Sequence, residues 1–128
     1  MRKVSHIEDM KVEIPEDIKK EMDEKGGFNQ VKTSVSMEEI ERLDSLLGVL
    51  ADKKRLMMLY ALSRQRMCVC MLADIIQSPY SKCSYHITRL KDMGVIVAHN
   101  EGNYLIYSLT PYGKNILQVL ERMKKVIK

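Results

Sequence analysis

The chain has no tryptophan and a single phenylalanine, Phe28, so large aromatic side chains cannot dominate its core. Aliphatic residues and ten methionines must fill that core instead. Methionine is unbranched and flexible, which makes such a core pliable and easily repacked. Its thioether is also a soft metal ligand, so the methionines have a second use beside core filling.

Cysteine is also scarce, since the chain has only Cys68, Cys70 and Cys83. The odd count, and an N-terminal stretch without the apolar core of a signal sequence, argue against a secreted disulfide scaffold. No apolar run approaches the roughly 20 residues that span a bilayer, so we expect no contact with a membrane. We therefore expect a soluble, cytoplasmic protein whose thiols stay reduced.

The sequence lacks the short motifs that mark common enzyme sites. It has no phosphate-binding glycine loop, no serine nucleophile elbow and no His–Glu metal motif. A thiol oxidoreductase would carry Cys-x-x-Cys in a βαβ setting, whereas this chain carries Cys68-Val69-Cys70. We therefore expect a protein that is not an enzyme.

Charge is unevenly distributed along the 128 residues, which suffice for one compact domain. Residues 1–37 carry 7 basic and 8 acidic side chains, whereas residues 38–128 carry 14 basic and 9 acidic ones. We interpret residues 1–36 as an N-terminal extension with a short helix at Glu16–Lys25, and residues 37–128 as the folded domain. A basic excess in the folded domain favours a polyanion as partner.

Capping residues and apolar spacing predict the elements of the folded domain. The predicted helices are Ser36–Leu50, Lys53–Leu62 capped by Asp52, Cys70–Ile76, a helix from Pro79 to Met93 capped by Ser78, and Tyr112–Val126 capped by Thr110. Strands Val95–Ala98 and Tyr104–Leu109, with residues 99–103 as the turn, form a hairpin. This order predicts an α+β, mostly helical fold, a winged helix-turn-helix.

The first and last predicted helices carry more apolar surface than a small monomer needs, so we interpret them as flanking dimerisation helices. A two-fold dimer matches a two-fold, inverted-repeat DNA operator. The helix that follows Pro79 turns Cys83, Ile87 and Leu90 to one side and a face without carboxylates to the other. A winged helix adapted to bind protein would show apolar residues on that outer face, where Tyr85 is the single candidate.

The stretch Leu46–Leu109 resembles the ArsR/SmtB family of metal- and stress-responsive repressors. Its strings are LLGVLADKKRLMMLYAL, MCVCMLADII and SPYSKCSYHITRLKDMGVIVAHNEGNYLIYSL. They match an Ala-Asp-x-x-Arg helix, a Cys-Val-Cys helix start, a Ser-x-x-Ser-x-His recognition helix and a wing ending in Tyr-x-Leu. The resemblance implies a cytoplasmic homodimer that represses its operator and leaves it on sensing an effector.

The resemblance also implies which side chains contact DNA. On the recognition helix they are Ser81, Lys82, Ser84, Tyr85, His86, Thr88 and Arg89. Tyr85 stands where the family usually has a second histidine. His86 lies beside the core face of its helix, which favours a structural role over a DNA contact. Wing residues His99, Asn100 and Asn103 are expected at the flanking minor groove or phosphates, whereas Glu101 would repel phosphate.

Cys68 and Cys70 resemble the family's site for As(III), Cd(II) or Pb(II), so a thiophilic metal or metalloid ion is the expected effector. The family's third cysteine is replaced by Ala73, and residues 1–36 contain none. Met67, Met71 or His6 are the available additional ligands, and the dense sulfur would suit Cu(I). A thiol-based redox switch without metal, or a pair with no sensing role, stay open as alternatives. Cys83 is expected to be core filler.

Overall fold

A computed structural model describes residues 13–128 of the chain. His6, a suggested ligand, and the start of the predicted extension lie outside these residues. The chain divides into two compact units, Met1–Leu43 and Asp44–Lys128, and the division falls inside a helix. The domain boundary predicted after residue 36 remains a prediction. Among the helices of residues 13–128, none has both the length and the apolar character to cross a membrane.

Within residues 13–43, the first unit contains two short helices and the start of a third. Helix α1 spans Glu16–Glu24, α2 spans Phe28–Thr33 and α3 spans Met37–Leu50. Helix α1 ends one residue earlier than predicted, before two glycines with φ of 94°. Helix α2 was not predicted, because six residues are too few to show a helical period. At the start of α3, the Glu39 N–H donates to Ser36 Oγ over 3.3 Å, as the predicted cap requires.

The second unit contains the rest of the chain in the predicted order. Its elements are α4 (Lys53–Arg64), α5 (Val69–Ile76), α6 (Tyr80–Asp92), β1 (Ile96–Glu101), β2 (Tyr104–Leu109) and α7 (Pro111–Val126). Met58, Leu59, Leu72 and Leu90, from α4, α5 and α6, are fully buried and form the centre of the core. Helices α5 and α6 with the β1–β2 hairpin make the winged helix-turn-helix, so the predicted fold class is confirmed.

Two of the predicted caps hold helix starts in place. Asp52 Oδ1 accepts from the Arg55 N–H over 3.0 Å at the start of α4. Thr110 Oγ1 accepts from the Gly113 N–H over 2.9 Å at the start of α7, and Pro111 takes the first helical position. The Thr110 hydroxyl also donates to the Gly94 carbonyl over 2.6 Å, which fixes α7 to the segment before β1.

Helix α7 passes close to the backbone at Val95. The Thr110 N–H donates to the Val95 carbonyl over 3.1 Å. Gly113 is buried against the same carbonyl, and a Cβ there would overlap the Val95 oxygen and lie 3.0 Å from the carbonyl carbon. The first turn of α7 therefore approaches β1 as closely as backbone atoms allow.

The predicted cap at Ser78 is wrong. Helix α6 begins at Tyr80 and has no side-chain cap. Gln77 closes α5 in the left-handed conformation, with φ of 52°, and Ser78 Oγ accepts from Lys54 Nζ over 2.5 Å. The serine hydroxyl is therefore engaged with α4 rather than with the first turn of α6.

The hairpin is longer and its turn tighter than predicted. Strands β1 and β2 pair antiparallel from Ile96 with Leu109 to Glu101 with Tyr104. The loop is only Gly102 and Asn103, and Gly102 has the positive φ, 62°, that a two-residue hairpin loop favours. Residues 99–101 are polar and were predicted as turn. They instead continue β1, whose end is exposed to solvent and therefore accommodates polar side chains.

Candidate functional site

Helix α6 presents one polar, cationic face to solvent. Its exposed side chains are Ser81, Lys82, Ser84, Tyr85, Thr88 and Arg89, all of them predicted site residues. Cys83, Ile87 and Leu90 anchor the opposite face in the core. The outer face lacks carboxylates as far as Asp92 at the end of the helix. A rigid helix with exposed hydroxyls and cations is suited to contact phosphate and base edges.

Two exposed tyrosines, one at the start of α6 and one in the wing, were missed in the sequence. Tyr80 begins α6, and Tyr104 begins β2 and is 66% exposed. The strand pattern could have predicted that Tyr104 is exposed, because residues three apart in a strand point to opposite faces of the sheet. Burial of Tyr107 therefore leaves Tyr104 on the exposed face of the wing.

The predicted wing residues His99, Asn100 and Asn103 are all exposed near the tip of the hairpin. Glu101, which we expected to repel phosphate, instead pairs with the Arg66 guanidinium, and its Oε1 accepts from Nη2 over 3.3 Å. The pair is exposed, so it contributes little to stability. Its effect at this position is to offset the negative charge at the wing tip.

His86 does not lie on the outer face, which corrects its prediction as a DNA contact. Its side chain is 8% exposed, and its Nδ1 lies 2.9 Å from Arg55 Nη1. A guanidinium can only donate, so Nδ1 accepts and the neutral ring carries its proton on Nε2. His86 sits where the core face of α6 meets its edge, and the interior position follows from this partner on α4.

Arg55 joins three helices from an interior position. It is 7% exposed, and its Nε donates to the Val49 carbonyl over 2.6 Å. A second contact, 3.4 Å long, runs from Nη2 to the Gly48 carbonyl. Arg55 therefore satisfies two carbonyls at the end of α3 while it holds His86 on α6. The Ala-Asp-x-x-Arg motif contains this arginine, but the motif alone assigns no role to its side chain.

The stability of the chain is predicted to fall as the pH drops below the ordinary histidine range. Burial lowers the pKa of His86 from 6.5, the charges of Arg55, Lys54 and Lys82 lower it further, and Asp52 opposes them. The unfolded chain then binds more protons at His86 than the folded chain does. Its contribution is present above about pH 6.5 and is lost at lower pH.

Thermal unfolding between pH 7.5 and 5 checks this prediction. His86→Asn, which keeps an acceptor near the Nδ1 position, should show a weaker pH dependence of Tm than the wild type. His99→Asn removes an exposed histidine and should keep the wild-type dependence. Equal pH dependence in the wild type and in His86→Asn would contradict the prediction.

The thiols of Cys68 and Cys70 lie together at the start of α5. Cys68 is the N-cap residue, and the two Sγ atoms are 2.8 Å apart. A hydrogen bond from the Cys70 thiol, with a further one from the Met71 N–H, lowers the pKa of Cys68. The same contact raises the pKa of Cys70. Near neutral pH Cys68 therefore carries more thiolate than Cys70 does.

Within residues 13–128, no group of three or more His, Cys, Asp or Glu side chains is arranged to hold a metal ion. Met67, a suggested ligand, is buried in the core, whereas Met71 is exposed. The two thiols can therefore supply two soft ligands of a metal site. Met71 is the exposed soft ligand nearest to them in sequence.

The segment that carries the thiols is held between the wing and α6. Met67 and Tyr107 exchange two backbone hydrogen bonds, 3.1 and 2.8 Å long. The Sγ of Cys83 on α6 lies 4.0 Å from the Val69 carbonyl, between the two thiols in sequence. Cys83 is fully buried, as predicted, and burial raises its pKa. The backbone on either side of the thiol pair is therefore in contact with both α6 and the wing.

Comparisons with known proteins agree on this part of the chain. The sequence profile described as "Bacterial regulatory protein, arsR family" matches residues 52–97, which include the thiol pair and α6. The cadmium resistance transcriptional regulatory protein CadC of Listeria innocua is 29% identical over 80 residues, 62% of this chain and 67% of that protein. The arsenical resistance operon repressor of Bacillus subtilis is 36% identical over 71 residues, 55% and 68% of the two chains.

A solved structure extends the likeness to the whole winged helix. The crystal structure of NolR from Sinorhizobium fredii superposes with a TM-score of 0.62 at 26% identity. The match covers 70% of this chain and 93% of that one. The similarity therefore reaches beyond the profile match into the flanking elements.

Proposed function

We infer that this chain, which belongs to the arsR family of bacterial regulatory proteins, is a repressor controlled by a thiophilic metal or metalloid ion. Family membership makes it a DNA-binding transcription regulator and not an enzyme. The observation that carries the finer proposal is the thiol pair at the start of α5, 2.8 Å apart, with the carbonyl of the intervening Val69 4.0 Å from Cys83 on α6. We place the protein in the cytoplasm, where DNA is found and thiols stay reduced.

The DNA-binding step uses α6 and the wing. The exposed face of α6, with Lys82 and Arg89 as its cations, enters the major groove. His99, Asn100 and Asn103 contact the flanking minor groove or phosphates. His86 acts from the interior, where its bond to Arg55 fixes the angle of α6 on α4.

The sensing step uses the two thiols. Soft thiolates suit As(III), Cd(II) and Cu(I), and relatives of this chain are named for cadmium and arsenical resistance. Cys68 and Cys70 would both lose their protons on binding such an ion. Their movement displaces Val69, whose carbonyl contacts Cys83 on α6, and Met67, which pairs with Tyr107. Helix α6 and the wing then no longer match the operator.

A redox switch is the second candidate, because the lowered pKa of Cys68 also favours attack on an oxidant. One residue separates the two cysteines, so a disulfide within the pair would be strained and one between protomers is the expected product. A third candidate, a protein-binding module without DNA, is disfavoured by the polar outer face of α6 and by family membership.

The proposal predicts a large, cysteine-dependent loss of DNA affinity. As(III), Cd(II), Cu(I) and hydrogen peroxide are each titrated into the complex of the protein with a duplex that it selects from a random library. One of the ions should lower affinity more than a hundredfold, which needs about 3 kcal/mol of differential binding. Fluorescence anisotropy measures the release.

The matched variants decide which sulfur atoms are used. Cys68→Ser with Cys70→Ser should abolish the response, and Met71→Leu tests the exposed thioether. Release by peroxide alone would favour the redox candidate. An equal response in the double serine variant, or no release by any agent, would overturn the role of the pair.

We further propose a homodimer built by α3 and α7. Both helices expose apolar side chains in the chain described here: Met37, Ile40, Leu43 and Leu47 on α3, and Tyr112, Val119, Met123 and Val126 on α7. Exposed apolar stripes of this kind mark protein interfaces. A two-fold dimer would place two α6 helices on an inverted-repeat operator.

Leu47→Glu with Met123→Glu is predicted to give monomers. The two side chains are 51% and 46% exposed, so the single chain tolerates carboxylates there, whereas a dimer would bury them unpaired. Sedimentation at micromolar concentration measures the mass, and circular dichroism checks the fold. Gln118→Glu, off the apolar stripe of α7, should leave the dimer intact. A single-chain mass for the wild type would refute the dimer.

A further inference from the structure

A cleft of about 740 Å³ lies between the end of α4, the end of β2 and the start of α7. Leu62, Leu109 and Leu117, which are mostly buried, supply apolar lining. The volume falls within the range of small-molecule sites in proteins. All of its lining belongs to the second unit, and neither thiol contributes to it.

All the charged side chains that line the cleft are cationic. Arg64, Arg66 and Lys114 line it, and no carboxylate does. Arg66 pairs with Glu101, whereas the side chains of Arg64 and Lys114 have no ion pair or hydrogen bond among residues 13–128. Two uncommitted cations beside an apolar lining attract a ligand that carries both an anionic and an apolar part.

We propose that this cleft binds a small amphipathic organic acid, whose carboxylate is held by Arg64 and Lys114 and whose apolar body packs on Leu62, Leu109 and Leu117. This second site is independent of the thiol pair. It goes beyond the proposed metal response, because its ligand is an organic anion and its residues are different.

The cleft is connected to the wing through Arg66. This residue lines the cleft and also pairs with Glu101 at the end of β1. A carboxylate in the cleft competes with Glu101 for the Arg66 guanidinium. Glu101, once unpaired, puts a negative charge at the wing tip, where it repels DNA phosphate. The ligand therefore lowers DNA affinity.

The proposed dimer leaves the cleft open. At 100° per residue, Lys114 lies roughly 140° around α7 from Val119 and roughly 180° from Met123. The face of α7 that lines the cleft is therefore opposite the face proposed to meet a second copy. A ligand can enter the cleft in either oligomeric state.

Binding is tested with octanoate as the probe, followed by calorimetry and by amide chemical shifts. Octanol, which keeps the apolar body, and inorganic phosphate, which keeps only the charge, should bind at least tenfold more weakly. Arg64→Gln with Lys114→Gln should weaken octanoate binding at least tenfold. Lys53→Gln with Lys91→Gln removes two exposed cations outside the cleft and should leave binding unchanged.

The link to the wing is tested on the complex with selected DNA. Octanoate should lower the affinity of the wild type and of Cys68→Ser/Cys70→Ser at least fivefold, and should have no effect on Glu101→Gln. The double serine variant separates this site from the metal proposal. Because this variant lacks both thiols, its loss of DNA affinity with octanoate does not depend on whether the thiols sense an ion. Equal octanoate binding by Arg64→Gln/Lys114→Gln, or tight binding of octanol, would overturn the proposal. Reduced DNA affinity in that variant without octanoate binding by the wild type would assign the cations to the DNA backbone instead.

Discussion

The Gly113→Ala variant is expected to lose about 3 kcal/mol of unfolding free energy, although alanine is the better helix former. The new methyl group would overlap the Val95 carbonyl oxygen and press on its carbonyl carbon, 3.0 Å away. Both atoms belong to the backbone, so no side-chain rotation relieves the overlap. Helix α7 must move away, which strains the bonds of Thr110 to Val95 and Gly94. We expect Tm to fall by more than about 10 °C.

Gly48→Ala is the matched control for this experiment. Gly48 also lies inside a helix, and a Cβ there would meet nothing within 4 Å. The same substitution should therefore raise the unfolding free energy by roughly 0.5–1 kcal/mol. Denaturant unfolding of both variants measures the two changes in unfolding free energy, which should have opposite signs. If Gly113→Ala proved as stable as the wild type, the close approach of α7 to β1 would be wrong.

Replacing Lys82 and Arg89 together with alanine is expected to weaken DNA binding about a thousandfold at moderate salt. Each dimer loses four cations, and a contact to phosphate or base is worth on the order of 1 kcal/mol. If all four contact phosphate, the slope of log affinity against log salt should also fall by about 4. Anisotropy titrations at several salt concentrations measure both quantities.

Arg122→Ala with Lys125→Ala removes the same charge from the last turns of α7. These side chains are exposed and lie off α6, so affinity should change by less than about fivefold. Sedimentation should find the dimer intact in both double variants. A loss in the control as large as that in Lys82→Ala/Arg89→Ala would mean that net charge, and not the face of α6, determines binding.

The features that the sequence predicted correctly depend on neighbours in the chain. Asp52 and Thr110 cap helices through amides three residues ahead. The outer face of α6 was predictable because the helical period fixes which side chains share the core face. Local rules of this kind need no knowledge of the fold.

The predictions that failed concern side chains whose position or charge depends on a partner far away in the sequence. Ser78 was predicted to cap α6, but Lys54, 24 residues earlier, engages its hydroxyl. His86 had both a DNA-contact and a structural interpretation, and Arg55, 31 residues earlier, holds it inside. Glu101 was expected to repel phosphate, yet Arg66 offsets its charge. The spacing of residues along one element does not reveal a partner on another.

The bonds of Arg55 have a consequence for the phase of the operator. In the proposed dimer, α3 joins the two copies, and Arg55 ties the end of α3 to α6 through Val49 and His86. The two α6 helices are then related by a stiff connection of fixed length and angle. Each base pair inserted between half-sites rotates one of them by roughly 34° about the duplex axis. An operator for this chain therefore tolerates changes in base sequence at its centre far better than changes in the number of base pairs.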